Sequence, residues 1–203
     1  MVVTLIHLIL NLNFSVQCLT KILSVIRHEK PEELYRSTPG LRHIWIGHAS
    51  YFVEMNNFRF LVDSIFRSRR SAFDLNKSLW GSFAVWDATH KFYFAEDTGY
   101  THNISIFRHI GKTYGPFDLS AIPIGAYEPR WMMEAQHMSP DEAVQIHIDV
   151  QSKKSIGIHW GTWALANEYF MEPPKKLAQA VLSKLLNSSS FIVVKHSEVF
   201  DLP

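Results

Sequence analysis

Two short stretches of the chain end an apolar run in a side chain able to bind a cation. "FYFAEDTGY" (92–100) delivers Glu96 and Asp97 just ahead of Thr98 and Gly99, and "IGIHWGT" (156–162) delivers His159 two residues ahead of Gly161. The ordinary reading of the first is an Asp-Thr-Gly turn, since Asp bonds its own backbone and Gly supplies positive φ. The chemical reading is a carboxylate at the carboxyl end of a core strand, where layered α/β folds present ligands and catalytic groups. A lone histidine at a strand end commonly bonds a neighbouring carbonyl. Here "GHAS" (47–50) adds His48 at the close of another strand, and "QHMSP" (136–140) adds His137 ahead of a helix start. Three histidines and one aspartate are therefore candidates for a single rim, and imidazole with carboxylate is a donor set suited to a divalent transition ion.

Composition limits the alternatives. The chain has 203 residues, 47% hydrophobic, enough for one continuous core. Twenty Lys and Arg against 19 Asp and Glu leave a formal charge of +1, with no field that would recruit nucleic acid. A single cysteine, Cys18, excludes an intramolecular disulfide framework and any Cys-rich zinc site, so metal ligands must come from His, Asp or Glu. The start of the chain, "MVVTLIHLILNLNFSVQC", carries no charge before Lys21. His7, Asn11, Asn13 and Gln17 count against a membrane span and the missing basic n-region against a signal peptide. Leu5, Leu8, Ile9 and Leu12 share one side at helical spacing, predicting an amphipathic helix. Residues 1–27, with Lys21 and Arg27 facing head groups, are expected to anchor the protein to a membrane surface.

The elements that must position these groups follow from pattern. Residues 1–40 read as an apolar segment and a linker containing Pro31, Pro39 and Gly40, and 41–203 as one domain. "LRHIWIGHASYFVEMNNFRFLVD" predicts a meander turning at Asn56–Asn57, and "SLWGSFAVW" with "KFYFAE" a hairpin through 87–90. A helix is expected around 104–112, then a buried strand "FDLSAIPIG". Ser139, Pro140 and Glu142 form a capping-box signature for a helix running to about Gln151. "KKSIGIHWG" predicts a strand, "PPKKLAQAVLSKLL" a helix and "SFIVVKH" a last strand. Helices alternating with buried strands after a meander predict a layered α/β sandwich.

Long strings of this sequence carry a family resemblance. "IGHASYFVEMNNFRFLVD", "LWGSFAVW", "FAEDTGY", "GPFDLSAIPIGAYEPRWMMEAQHMSPDEAVQIH" and "IHWGTWALANEYFMEPPKKL" resemble the metallo-β-lactamase-fold hydrolases. Within them the likeness is to the zinc-dependent phospholipases D that hydrolyse N-acyl-phosphatidylethanolamine. It runs from about Gly40 to the C-terminus. It implies an αββα sandwich with two zinc ions at its rim, an intracellular, membrane-associated location, and hydrolysis of a membrane phospholipid to an N-acylethanolamine and phosphatidic acid. By the same resemblance Asp97 matches the carboxylate bridging the two metals and His159 a histidine ligand. Gln136 and His137 match the substrate cavity, where they would contact phosphate or amide. Tyr127, Glu128, Pro129, Arg130 and Trp131 are read as a packing loop.

The resemblance also exposes a gap. The family signature His-x-His-x-Asp-His is missing, no His-x-His occurs anywhere in the chain, and the sequence passes directly from "FLVDSIFRSRRSAF" to "DLNKSLWGSF". The reading is therefore an αββα sandwich with an incomplete first half and an internal deletion near 64–76. Asp97 and His159 are two ligands where a catalytic zinc needs about three, so low zinc occupancy is expected. His90, His102 and His109 are poor substitutes, standing in a hairpin turn or on a helical stretch. Two functions remain: a member of the lipid-hydrolase family, or a non-catalytic lipid- or partner-binding relative. A lactonase of the same fold is disfavoured by "GAYEPRWMM" and "ALANEY". The shortened meander is expected to leave apolar faces and an edge uncovered, favouring a homo-oligomer or association with an intact homologue.

Overall fold

A computed structural model describes residues 2–5, 40–56, 58–62, 82–102 and 106–202. Its strands in chain order are β1 (Val2–Leu5), β2 (Leu41–Gly47), β3 (Ser50–Met55), β4 (Phe58–Val62), β5 (Phe83–Trp86), β6 (Lys91–Phe94), β7 (Leu119–Pro123), β8 (Ser155–Ile158), β9 (Phe191–Ile192) and β10 (Val199–Leu202). The helices are α1 (Ile106–Tyr114), α2 (Arg130–Met133), α3 (Pro140–Asp149) and α4 (Glu172–Ser183). They form two compact units. Among the described residues one holds β1, β5 to β9 and the helices α1 to α4; the other holds β2, β3, β4 and β10.

The first unit is a six-stranded sheet in the order β1-β5-β6-β7-β8-β9. β5 and β6 form the expected antiparallel hairpin, while β6, β7, β8 and β9 run parallel. Parallel neighbours need crossover connections, and α1, α3 and α4 supply them. Each helix drives apolar side chains into one core: Phe107 and Ile110 from α1, Val144 and Ile146 from α3, Leu177 and Val181 from α4, against Tyr93, Ile122 and Ile124 of the sheet region. The capping box is formed as its spacing predicts. Ser139 Oγ accepts from the Glu142 N–H, and the Glu142 carboxylate accepts from the Ser139 N–H at 2.7 Å. The parallel run has one consequence for chemistry: the carboxyl ends of β6, β7 and β8 lie on the same side of the sheet.

The second unit is a four-stranded antiparallel sheet, β10-β2-β3-β4. Asn56 makes the expected tight turn at φ 52°. Inside the sheet the buried Arg42 and Glu54 pair at 3.2 Å, with Arg59 on the same carboxylate at 2.7 Å and Asp201 within 3.4 Å of Arg42. β10 was not expected from the sequence. It pairs antiparallel with β2, Val199 opposite Ile44 and Leu202 opposite Leu41.

Some expectations are corrected. Of the segment read as an amphipathic helix only its first apolar position, Leu5, is described, and it lies in a strand, Val2–Leu5, paired with Phe83–Trp86. The rest of that segment, including Leu8, Ile9 and Leu12, lies outside the described residues, as does the stretch 64–76. The meander is not left bare. Every residue of β3 and the first five of β2 are buried, and only β4 is half exposed. Among the described residues no helix is long and apolar enough to cross a membrane.

Candidate metal centre

Asp97 follows β6 by way of Glu96, which takes the left-handed conformation at φ 60°. That conformation is uncommon for a residue with a side chain, and here it turns the chain out of the sheet just as the carboxylate is reached. The strand beneath is fixed by the Ala95 N–H donating to the Ala121 carbonyl of β7. Beyond Asp97 the loop is anchored by Tyr100, whose hydroxyl donates to the Asp149 carboxylate at 2.9 Å. Burial and that carboxylate push the Tyr100 phenol up to about 12, so it stays a donor. Gly99 lies against the end of the α2 turn so closely that a β-carbon would overlap the Glu134 carbonyl.

His159 ends β8 and is itself left-handed, at φ 61°. Its side chain is buried, while that of Asp97 is half exposed. Ile124 donates its N–H to the Ile158 carbonyl at 3.0 Å, carrying the β7–β8 pairing up to the site. The Trp160 indole N–H donates back to the Gly157 carbonyl. Uncommon left-handed backbone at both strand ends, beside Asp97 and at His159, is a pattern found at functional sites.

His137 arrives by a different route. It stands between α2 and the capped start of α3, where its N–H donates to the Met133 carbonyl at 2.8 Å. Its own carbonyl accepts from Arg130 Nη1 at 3.0 Å, and Arg130 Nη2 spans both oxygens of Glu142 at 3.0 Å each. Glu142 thus closes the helix cap and holds the arginine that holds His137. Burial pulls the His137 pKa below the ordinary histidine value, against the pull of the Asp97 and Glu168 carboxylates. The neutral ring, the form that binds metal, is favoured. Its Nδ1 is shielded from solvent and meets no hydrogen-bond partner among the described residues.

These three side chains converge. His159 Nε2 is 3.2 Å from Asp97 Oδ1, and the His137 and His159 ring centres are 5.0 Å apart. One donor atom from each of Asp97, His137 and His159 falls within 4.8 Å of the others. One carboxylate and two imidazoles fit a divalent transition ion in both donor type and number. The residues alone made His48, His137 and His159 candidates for one rim with Asp97, and the resemblance set His137 toward the substrate; the geometry brings the His137 ring to Asp97 and His159. Gln136 is exposed beside it. His48 belongs to the other unit, in the β2–β3 turn, where its carbonyl accepts from the Trp45 indole. His90 bonds Thr89 in the hairpin loop, and His102 sits edge-on to Tyr100.

Glu168 carries no local sequence signal that marks it out. Its carboxylate accepts from the Ala126 and Glu128 N–H groups at 2.6 and 3.1 Å, and the Asn167 N–H donates to the Glu128 carbonyl. The segments leaving β7 and β8 are thereby tied together. They also expose large apolar side chains: Trp131, Met132, Trp163, Leu165, Tyr169 and Phe170.

Residues 15–160 match the family described as Beta-lactamase superfamily domain. N-acyl-phosphatidylethanolamine-hydrolyzing phospholipase D 1 of Caenorhabditis elegans is 44% identical over 66% of this chain and 37% of its own length. The mitochondrial N-acyl-phosphatidylethanolamine-hydrolyzing phospholipase D of Saccharomyces cerevisiae is 39% identical over 54% of this chain and 24% of its own length. The chain therefore spans well under half the length of these curated relatives. Among solved structures, a metallo hydrolase from Ignicoccus hospitalis superposes with a TM-score of 0.55 at 12% identity, covering 80% of this chain and 99% of that one. The diiron β-hydroxylase CmlA of Streptomyces venezuelae gives 0.52 at 10% identity, covering 83% and 55%. At such identities the likeness is one of fold.

Proposed function

Since the chain belongs to the metallo-β-lactamase superfamily, we propose that it is a phospholipase-D-type relative that binds metal and the phosphodiester of N-acyl-phosphatidylethanolamine at the Asp97–His159 rim without hydrolysing it unaided. Membership and the phospholipase relatives support a hydrolase ancestry. The observation that carries the reading is the convergence of Asp97 and His159, from two separate parallel strands, to 3.2 Å. Asp97 and His159 hold zinc in this account, and Gln136, exposed at the same rim, contacts the phosphate or amide of the lipid. A bound ion supplies Lewis acidity toward phosphoryl oxygens.

The chain's own residues do the rest. The Arg130–Glu142 pair holds the segment with Gln136 and His137 in place, and Glu168 fixes the two loops that flank the rim. The apolar side chains exposed on those loops offer acyl chains a surface, which favours a lipid over a soluble diester. Hydrolysis of the family type needs two ions, and their donors include the His-x-His-x-Asp-His set that this sequence lacks. Without that set neither nucleophile activation nor charge stabilisation is complete, a loss of many orders of magnitude in rate. Association with an intact homologue would supply the missing donors in trans.

The test uses zinc-loaded full-length protein and vesicles with or without N-acyl-phosphatidylethanolamine. Retention on the lipid-bearing vesicles, weakened by Gln136→Ala, with no N-acylethanolamine released, is the expected result. Metal-dependent product release that disappears in Asp97→Asn would show a competent enzyme and overturn the proposal.

A further inference from the structure

We propose that Asp97, His137 and His159 form a complete three-ligand site for a single divalent transition ion, with His137 serving as a metal ligand. The inference rests on the reading that this rim binds metal, and adds to it the stoichiometry and the third ligand. Two donors held about 2.1 Å from one tetrahedral ion lie roughly 3.4 Å from each other. Asp97 Oδ1 and His159 Nε2, at 3.2 Å, already have that spacing. The third donor, from His137, lies within 4.8 Å of both.

His137 is prepared for this role. Its ring is inclined 31° to that of His159, and its backbone is held at both ends by the Met133 carbonyl and Arg130. Its shielded Nδ1 has no hydrogen-bond partner among the described residues. Leaving a buried polar atom unpaired is costly, and its neighbour Gln136, being exposed, carries no such cost. Coordination through either ring nitrogen orders the imidazole, and the other is then set by what it meets, as in ordinary histidine–metal sites.

The count stops at one ion. Glu168 is a further carboxylate that acts on His137, but both its oxygens accept from the Ala126 and Glu128 N–H groups. Among the described residues no other His, Cys, Asp or Glu joins the cluster, so a second ion would have only a share of Asp97. Two imidazoles with one carboxylate select zinc, cobalt or iron(II) over calcium or magnesium, which prefer oxygen donors. Three protein ligands leave an open position on an ion whose site carries net positive charge, and an anionic phosphodiester oxygen is the class of ligand that fits it.

The experiment is calorimetric titration of the chelator-stripped full chain with Zn²⁺ and with Co²⁺, read beside the Co²⁺ visible spectrum. One ion per chain is expected, with affinity reduced more than about 100-fold by His137→Gln, beyond the 10- to 100-fold typical of residues that merely orient ligands. Histidine ring-nitrogen NMR of the unmutated protein provides the check that needs no variant: the His137 resonances must shift on Zn²⁺ addition along with those of His159. If Asp97→Ala and His159→Ala abolish binding while His137→Gln and the His137 resonances are indifferent, metal binding stands and the His137 assignment is overturned. Two ions per chain overturn the single-ion claim, and no binding at all overturns both this inference and the reading beneath it.

Discussion

Gly125 approaches His159 so closely that a β-carbon at residue 125 would overlap the His159 carbonyl oxygen. This is where the segment leaving β7 crosses the end of β8, and it leaves His159 room to turn into the left-handed conformation that aims its ring at Asp97. Gly99 plays the matching part for Asp97 against Glu134 and Ala135. Two glycines thus set the spacing of three donors.

Gly125→Ala and Gly99→Ala should each force backbone to move, at a cost of roughly 1–3 kcal/mol typical of overpacking. The metal affinity should fall by more than the loss of stability alone explains, because the displaced backbone carries a ligand. Thermal unfolding of the metal-free variants, compared with Co²⁺ titration, separates the two effects. Unchanged affinity in both variants would mean that these contacts do not position the ligands.

Removing the Arg130 side chain should loosen the segment that carries His137. Arg130→Met keeps much of the apolar stem and deletes the bonds to the His137 carbonyl and to Glu142. A loss of about 1.5–3 kcal/mol is expected for hydrogen bonds to charged groups, with weaker metal binding. Ser139→Ala, which removes only the cap, should cost about 1 kcal/mol and leave metal affinity nearly intact. Denaturant unfolding with metal titration on both variants checks the contrast.

The buried His147 gives stability a pH dependence unrelated to metal. Its Nδ1 bonds Ser155 Oγ at 2.8 Å, its ring packs on Phe191, and burial pulls its pKa from 6.5 to about 4. The unfolded chain therefore binds a proton at a higher pH than the native one. The stabilisation is complete above about pH 6.5, is lost as pH falls from there through about 4, and levels off below. At about 1.4 kcal/mol per unit the total is on the order of 3 kcal/mol. Urea unfolding between pH 7 and 5 should show this slope in the parent and a shallower one in His147→Gln; equal slopes would contradict the assignment.

The four-stranded unit has its own sensitive point in Glu54. Its side chain is 3% exposed and that of Arg42 4%, so replacing the carboxylate removes the buried charge that faces Arg42 inside the sheet. Breaking one side of a buried pair costs about 3–5 kcal/mol. Glu54→Gln should therefore unfold this sheet at markedly lower denaturant, followed by hydrogen exchange across β2 and β3. Protection equal to the parent's would show that the pair is dispensable.

What the sequence revealed depended on how local the signal was. The strand-end positions of Asp97 and His159 were legible because each follows an apolar run just before a glycine turn, and the α3 cap because Ser139 and Glu142 are three residues apart. β10 was not legible: four residues with Asp201 among them become a strand only by pairing with distant Leu41–Ile44. α2, a single turn, carries too little pattern to announce itself. The turn of the His137 ring toward Asp97 and His159, beyond its place at the rim, was hidden for a further reason. It depends on Arg130 and Glu142 from either side of the loop and on Gly99 beneath it, contacts that no window of sequence contains. A lone histidine with an unpaired, shielded nitrogen is recognisable only once its surroundings are built.

Anomalous diffraction from crystals of the zinc-loaded full chain would count the bound ions and identify their ligands at once. One zinc peak per chain is expected, about 2.1 Å from a donor on each of Asp97, His137 and His159, with an open position facing the rim. Two peaks, or a single peak with the His137 ring turned away toward solvent, would contradict it.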